Sequence, residues 1–352
     1  MKLISNILKV TTFSVFLLIF FVDCKKEEYQ IETVEFRNGS IKFKGTFYKP
    51  SSSAPYPVIV LAHGSGKGNR GSFYYTPYGE YFSKKGIAVL IFDKRGTGES
   101  GGIYDENPDF SLLAADLQEA FKYVINRQDV DKSKAGIIGI SQAAWVIPIA
   151  LQNLNNVAFT ICTSCPMVAP YQSDLFQKGR QLKEEGFNDT DIVHILEYNR
   201  TVTEYVATFK DRQYVIDLKQ KYKKEKWFKD LEYSPDLSPE DTLKTARYDH
   251  YRKSVFNPIS HWQKISSPLL FVYGMKDSHI PVNESIKIIQ DSLANKSNMQ
   301  FKTFDQEGHL LQSVKEPIEV LNYGIKHILQ GKPKPSFEYL QFVNDYIRGK
   351  KK

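Results

Sequence analysis

Five short apolar runs, each the length of a strand, recur along the chain with helical patterns between them. They cover residues 57–63, 87–92, 135–140, 157–162 and 268–273. Their hydrophobicity is continuous rather than alternating, which is typical of parallel strands covered by helices on both faces. The repeated strand–helix–strand order also implies right-handed crossovers. We therefore predict an α/β protein with a doubly wound, mostly parallel sheet.

Two segments depart from this pattern. Residues 31–36 and 41–48 alternate in polarity and are joined at Asn38-Gly39, which predicts an antiparallel hairpin at the edge of the sheet. Residues 171–260 contain no strand of the buried type, so we expect a helical insertion that forms a lid over the sheet. The predicted organisation is a core in two parts, residues 31–170 and 261–330, a lid at 171–260 and a peripheral tail at 331–352.

The amino-terminal segment is typical of an export signal. Lys2 and Lys9 precede a largely apolar run at residues 10–22, which is shorter than the roughly 20 residues of a membrane span. We predict a signal peptide over residues 1–23, with a retained signal-anchor helix as the alternative.

A cysteine follows this signal directly. Cys24 resembles the lipidation site of bacterial lipoproteins, and the charged residues 25–28 resemble a signal for display at the cell surface. The resemblance implies that residues 24–30 form a lipoprotein linker and that the chain is exported to the cell envelope and anchored to a bacterial membrane through Cys24. In the alternative, Cys24 is a free thiol.

The composition argues against several other kinds of partner. The formal net charge is +7, and no basic run alternates with aromatic residues as in a nucleic-acid groove, so we expect no nucleic-acid partner. The sequence has no H-E-x-x-H motif, and the glycines within residues 96–102 lack the spacing of a phosphate-binding loop. We expect no metal and no cofactor. The C-x-x-C pair Cys162 and Cys165 closes a predicted strand, which favours packing over a local disulfide.

The segment from Gly139 to Ala143 carries the strongest chemical signal. It reads Gly-Ile-Ser-Gln-Ala and lies between a buried strand and a helix. A sharp strand-to-helix turn holds a serine oxygen out of the backbone, where a substrate can reach it, and it requires small neighbours two positions away. We predict that Ser141 is a nucleophile. Ala143, where glycine is usual, is the clearest departure from the motif.

A second turn, at His63 to Gly66, follows the first long buried strand. Acyl transfer needs two fixed N–H donors that face the negative charge of the tetrahedral intermediate. We assign these donors to the backbone of Ser65 and of Gln142, the residue after the nucleophile, and expect His63 to be structural.

A nucleophilic serine needs a histidine as base and an acid that orients the histidine. Where the serine lies on a strand-to-helix turn of this kind, the chain order is serine, acid, histidine, so we expect the acid and the histidine late in the chain. Asp277 follows the strand at 268–273, and His309 follows a strand-like run at 299–304. Both would lie at the carboxyl edge of the sheet, beside the turn at Ser141. Asp305 is a nearer rival for the acid.

Five segments of the sequence resemble motifs of the α/β-hydrolase superfamily. They are HGSG at residue 63, FDKRGTGES at 92, GISQAAW at 139, GMKDSHIPV at 274 and EGH at 307. The similarity is to dienelactone hydrolases, serine aminopeptidases and prolyl-oligopeptidase-like esterases, and it implies the α/β-hydrolase fold with Ser141, Asp277 and His309 as a catalytic triad. In that family the FDKRGTGES segment shapes a loop beside the site.

The resemblance implies a serine hydrolase that acts on a small acyl substrate through an acyl-enzyme. A carboxyl ester is the leading expectation for the substrate, and a peptide or a thioester is the alternative. A third reading is a lipoprotein that binds a ligand on a hydrolase fold that has lost catalysis. The sequence does not determine the oligomeric state.

Overall fold

The computed structural model of the protein describes residues 28–230, 246–313 and 334–350. Its strands are β1 (Tyr29–Asn38), β2 (Ile41–Pro50), β3 (Tyr56–Ala62), β4 (Ala88–Phe92), β5 (Val130–Ile140), β6 (Phe159–Thr163), β7 (Leu269–Gly274) and β8 (Met299–Phe304). Its α-helices are α1 (Thr76–Lys84), α2 (Phe110–Ile125), α3 (Ala143–Ala150), α4 (Pro170–Glu184), α5 (Asp189–Thr208), α6 (Arg212–Tyr222), α7 (Ala246–Ser254), α8 (Ile259–Trp262), α9 (Val282–Leu293) and α10 (Phe337–Ile347). Short 3₁₀ helices span Leu151–Asn153 and Lys226–Asp230.

The strands form a single eight-stranded sheet with the order β1-β2-β4-β3-β5-β6-β7-β8. The pairs β1–β2 and β2–β4 are antiparallel, and the other neighbouring pairs are parallel. The five apolar runs correspond to β3 through β7. The doubly wound, mostly parallel α/β architecture predicted from the sequence is therefore confirmed.

The edge of the sheet is the predicted hairpin. Asn38 pairs with Ile41 across the turn, and Gly39 takes a φ of +58°, a left-handed conformation that glycine adopts without steric cost. β1 lies at the end of the sheet and β2 joins it to β4. The alternating pattern and the two-residue turn therefore predicted the antiparallel hairpin at the edge of the sheet correctly.

The core has two layers, one on each face of the sheet. In β3, Val58 and Val60 face the layer that contains α2 and α3, whereas Ile59 and Leu61 face the layer that contains α1 and α10. All four side chains are fully buried. Because successive residues of a strand point to opposite faces, burial on both faces explains why the run is continuously apolar.

In its described residues the insertion is helical and has a hydrophobic cluster of its own. Helices α4, α5 and α6 and the 3₁₀ helix at Lys226–Asp230 enclose Tyr198, Tyr205 and Trp227, with Phe228 packed against them. These aromatic side chains stabilise the insertion itself and do not line the cavities described below. The insertion is joined to the sheet by α7 and α8.

The carboxyl-terminal segment corrects the prediction of a peripheral tail at 331–352. Helix α10 packs into the core through Tyr339, Leu340 and Val343. The Tyr339 side chain is fully buried, and its hydroxyl lies 2.7 Å from the hydroxyl of Thr163 at the end of β6. The lysine- and proline-rich stretch before this helix favours an exposed tail, and the apolar face of the helix follows only after it.

The predicted signal peptide at residues 1–23 and most of the predicted linker, including Cys24, lie outside the described residues, as does part of the second core segment, residues 314–330. No helix in the described ranges combines the length and the hydropathy needed to span a bilayer.

Candidate active site

Ser141 lies on a sharp turn between β5 and α3. Its φ is +53°, in the left-handed region that non-glycine residues seldom adopt. The Ser141 N–H donates to the carbonyl of Thr163 at 3.0 Å, and the Ser141 carbonyl accepts from the N–H of Ala144 at 2.9 Å. The turn is therefore held by the neighbouring strand on one side and by the first turn of the helix on the other.

The small residues around Ser141 allow the helix to pack against the strand. A methyl group on Gly139 would collide with Ile147 and would stand 2.7 Å from the Cβ of Ala143. Ala143 is fully buried. The methyl group of Ala143 therefore fits because residue 139 has no side chain, and the departure from glycine at 143 leaves the turn intact.

Asp277 and His309 form a hydrogen-bonded pair at the carboxyl edge of the sheet. Asp277 Oδ2 lies 2.8 Å from His309 Nδ1. Asp277 Oδ1 accepts the backbone N–H groups of His279 at 2.8 Å and Ile280 at 3.3 Å. The carboxylate is thus fixed through both oxygens, and it holds the imidazole so that Nε2 is free to exchange a proton.

Backbone contacts bring these two residues together although they lie 32 positions apart. β7 and β8 are parallel neighbours that end in register at Gly274 and Phe304. Beyond them, the Lys276 N–H donates to the Glu307 carbonyl at 2.9 Å. A side chain on Gly274 would collide with that carbonyl. The rival acid Asp305 is exposed and lies before this contact.

The predicted oxyanion donors lie on either side of Ser141. The Gly64 N–H donates to the Tyr75 hydroxyl at 2.8 Å, so it is not available to a substrate. Among the described residues, the backbone N–H groups of Ser65 and Gln142 have no hydrogen-bond partner. A Cβ placed on Gly64 would lie 3.6 Å from the Cβ of Ser141, which shows how closely the loop approaches the turn.

Two further histidines lie close to these groups. His63 is buried with its Nε2 2.6 Å from the carbonyl of Phe92. Burial, aided by the charge of Lys94, lowers the pKa of His63 to about 3, so it is neutral and structural, as the sequence analysis expected. His279 stacks on His309 with ring centroids 4.7 Å apart. Burial and the neighbouring His309 lower the pKa of His279 to about 4, so it adds no positive charge beside His309 at neutral pH.

Asp277, His279 and His309 also form a group whose potential metal-ligating atoms lie within 4.8 Å of one another. Both Asp277 oxygens already accept hydrogen bonds, one of them from His309. The imidazoles of His279 and His309 stack on each other with their planes 23° apart, and Nδ1 of His309 is occupied by Asp277. The geometry suits an acid–base pair better than a metal centre.

Two cavities meet at these residues. The first, here called the serine cavity, has a volume of about 220 Å³. Its lining combines Ser65, Ser141, Gln142 and His309 with residues of the insertion, among them Ser173, Asp174 and His250. The insertion therefore borders the opening to Ser141, the position expected of a lid.

The second, here called the aromatic cavity, has a volume of about 250 Å³. It shares Ser65, His279 and His309 with the serine cavity, and its other walls are mainly apolar, formed by Phe73, Tyr74, Tyr75, Ile140 and Leu310. Ser65, Ser141, Gln142 and His309 thus border one continuous region. Asp277 lines neither cavity and contacts His309 from behind, through Nδ1. No hydrogen bond joins Ser141 to His309 within the described residues, and such bonds commonly tighten only when a substrate binds.

Comparison with known proteins assigns a family. Residues 39–310 match the family described as X-Pro dipeptidyl-peptidase (S15 family). The match includes β2 through β8, the whole insertion, and the residues at 65, 141, 142, 277 and 309.

The chain is also similar to curated proteins. It is 28% identical over 142 residues to the quorum-quenching protein AidA of Acinetobacter baumannii, which covers 40% of this chain and 46% of that protein. It is 24% identical to the thiohydrolase aneE of Aspergillus aculeatus over 87% of this chain and 96% of that protein. It is 24% identical to the esterase EstD of Thermotoga maritima over 87% of this chain and 69% of that protein.

Among solved structures, the esterase Pf2001 of Pyrococcus furiosus superposes with a TM-score of 0.56 at 16% sequence identity, covering 91% of each chain. At that identity the likeness concerns the fold, and it confirms the α/β-hydrolase fold that the sequence motifs implied.

The pairing of Asp277 with His309 gives a first prediction. Asp277→Asn keeps the shape of the side chain, but its amide favours the wrong tautomer of His309. We expect the kcat of hydrolysis to fall on the order of 10⁴-fold with an unchanged fold. Asp305→Asn is the matched control and should retain wild-type kcat. Equal losses in the two variants would contradict the assignment of Asp277.

Proposed function

The chain belongs to the X-Pro dipeptidyl-peptidase (S15) family, and from this membership and the geometry of the site we propose that it is a serine hydrolase that cleaves carboxyl esters. One observation carries the proposal. A serine held at a φ of +53° lines the same cavity as a histidine whose Nδ1 lies 2.8 Å from a buried carboxylate. This combination supplies a nucleophile, a base and the group that orients the base.

The proposed reaction has two steps. Ser141 Oγ attacks the ester carbonyl while His309 Nε2 takes its proton, and Asp277 stabilises the imidazolium that results. The N–H groups of Ser65 and Gln142 bind the oxyanion of the tetrahedral intermediate. His309 then gives its proton to the departing alcohol, which leaves an acyl group on Ser141. A water molecule deprotonated by His309 releases the acid in the second step.

The aromatic cavity supports an apolar acyl group as the preferred substrate class. It opens beside Ser65, where the carbonyl oxygen would bind, and Phe73, Tyr74 and Leu310 offer apolar walls without a charged group among them. A volume of about 250 Å³ suits an aromatic ring or a medium alkyl chain. The serine cavity is more polar and would then hold the alcohol.

A peptidase is the second candidate, because the serine cavity also contains Glu106 and Asp174. Carboxylates that line the same cavity as the nucleophile could bind the amino terminus of a peptide, in line with the name of the family. A thioester is the third candidate substrate, in line with the name of one relative. A binding protein without activity is the remaining alternative, and it requires that Ser141 be unreactive.

We also propose that the chain is exported and anchored by an acyl chain on Cys24. The proposal depends on the signal-like pattern of residues 1–23 and the cysteine that follows it.

The nucleophile is tested with Ser141→Ala. We expect this variant to lose ester hydrolysis by a factor on the order of 10⁶, because the chemistry has no other nucleophile, and to lose labelling by a fluorophosphonate probe. Ser65→Ala is the control, since Ser65 acts through its backbone N–H, and it should remain labelled. Hydrolysis by Ser141→Ala close to the wild-type rate would refute the proposed enzyme, and a wild-type chain that is never labelled would favour the binding protein.

The acyl site is tested with Phe73→Trp, which fills part of the aromatic cavity. The ratio of kcat/KM for p-nitrophenyl hexanoate to that for the acetate should fall about tenfold, which corresponds to losing roughly two methylene contacts. Phe337→Trp, on an exposed position of α10, is the matched control. An unchanged ratio would place the acyl group elsewhere. Faster turnover of X-Pro p-nitroanilides than of any ester would favour the peptidase.

Anchoring is tested in a bacterial host by metabolic labelling with an alkyne fatty acid. The wild-type chain should incorporate the label and sediment with membranes, and Cys24→Ser should do neither. Cys162→Ser, at a buried thiol, is the control. Unlabelled wild-type protein retained in the membrane would indicate the signal-anchor helix instead.

A further inference from the structure

Lys94 is a buried lysine two residues beyond the end of β4, in the FDKRGTGES segment. Only 4% of its surface is exposed, and a lysine is rarely buried to this degree unless its ammonium group has partners. The reaction proposed above gives this residue no role. Its position in the sequence, between Asp93 and Arg95, does not indicate which groups its ammonium contacts.

The Lys94 ammonium links the two halves of the candidate oxyanion site. Its Nζ donates to the side-chain Oε1 of Gln142 at 2.7 Å. It also donates to the carbonyl of Gly64 at 3.1 Å and to that of Gly66 at 3.4 Å. These two carbonyls flank Ser65, which offers one N–H donor, and Gln142 offers the other. Three donors meet three acceptors, so the ammonium is fully used.

No carboxylate neutralises this charge within the described residues. Asp93 accepts hydrogen bonds from the Arg70 guanidinium and from the backbone N–H groups of Arg70 and Glu99. On α2, Asp116 is engaged by Arg95, whose Nε and Nη2 donate to it at 2.8 and 2.6 Å.

The remaining titratable groups beside Lys94 are uncharged at neutral pH. His63, at the end of β3, is neutral because burial and the charge of Lys94 lower its pKa to about 3. The hydroxyl of Tyr75 bonds Gly64, and burial raises the pKa of Tyr75 well above 10. A buried positive charge therefore stands alone behind the two oxyanion donors.

We propose that Lys94 is a positioning residue for the oxyanion site: its ammonium sets the spacing of the Ser65 and Gln142 N–H groups and adds positive potential where the substrate oxygen becomes negative. This inference rests on the proposed function. A charge that matters only as the oxyanion forms stabilises the transition state more than the bound substrate, so it raises kcat and leaves KM nearly unchanged.

The charge of Lys94 depends on pH in the range where the enzyme can be assayed. Burial lowers the pKa of Lys94 to about 8. The ammonium is therefore present below that pH and is lost as the pH rises through it. The expected consequence is a kcat that declines on the alkaline side of about pH 8. Arginine keeps its charge throughout this range, because its pKa exceeds about 12.

The experiment measures kcat and KM for one p-nitrophenyl ester between pH 6 and 10 in the wild type, Lys94→Arg and Lys94→Met. Lys132→Met, at an exposed lysine on β5, controls for the loss of one positive charge. We expect Lys94→Met to lose about 10²-fold in kcat with KM within threefold of wild type. We expect Lys94→Arg to keep more activity than Lys94→Met and to move the alkaline decline above pH 9.

Two results would overturn the inference. One is an alkaline decline at the same pH in the wild type and in Lys94→Arg, and the other is a Lys94→Met variant that changes KM but not kcat. If Lys94→Met does not fold, the comparison of the wild type with Lys94→Arg still decides. Fluorophosphonate labelling distinguishes failure of the Lys94 inference from failure of the proposed function. If the wild type is labelled and active but the variants show none of these effects, only the role of Lys94 is rejected. An unlabelled wild type rejects the proposed function itself.

Discussion

The backbone conformation of Ser141 is the constraint on which the rest of the site depends. At a φ of +53° a serine pays a steric cost that only its surroundings can offset. The offsetting contacts come from the strand β6, through the Thr163 carbonyl, and from the close packing of α3 over Gly139. Since a parallel sheet brings the ends of β3, β5, β7 and β8 to one edge, the same architecture that fixes Ser141 also delivers the loops of Ser65, Asp277 and His309.

At that edge of the sheet, burial and hydrogen bonding determine which side chains carry a charge. Asp277 is held by two backbone N–H groups and by His309, and the neighbouring His279 is kept neutral. Beside Gln142 and the Ser65 loop, Lys94 is buried with no carboxylate partner in the part of the chain that the structure describes. In the proposed mechanism the base therefore has a negative partner and the oxyanion site has a positive one. This division is what acyl transfer requires, because the proton moves toward His309 as negative charge grows at Ser65 and Gln142.

Much of this arrangement could be predicted from the sequence, because its determinants are local. The five continuous apolar runs identified β3 to β7, and the turn motifs at residues 63, 139, 274 and 307 fall at the ends of strands. What escaped prediction depends on contacts between distant segments. The bond from Tyr75 to Gly64, the reach of Lys94 to Gln142 and the docking of Tyr339 onto Thr163 have no local signature. Lys94 lies inside a glycine-rich segment, and nothing in its local sequence indicates that its side chain is buried.

The central claim is that Ser141 becomes acylated during turnover. Its most direct test is the mass of the protein quenched in acid within milliseconds of mixing with p-nitrophenyl hexanoate, followed by peptide mapping. We predict that a fraction of the chain carries one hexanoyl group and that this group lies on the peptide containing Ser141. An unmodified chain during active turnover, or an acyl group on any other residue, would contradict it.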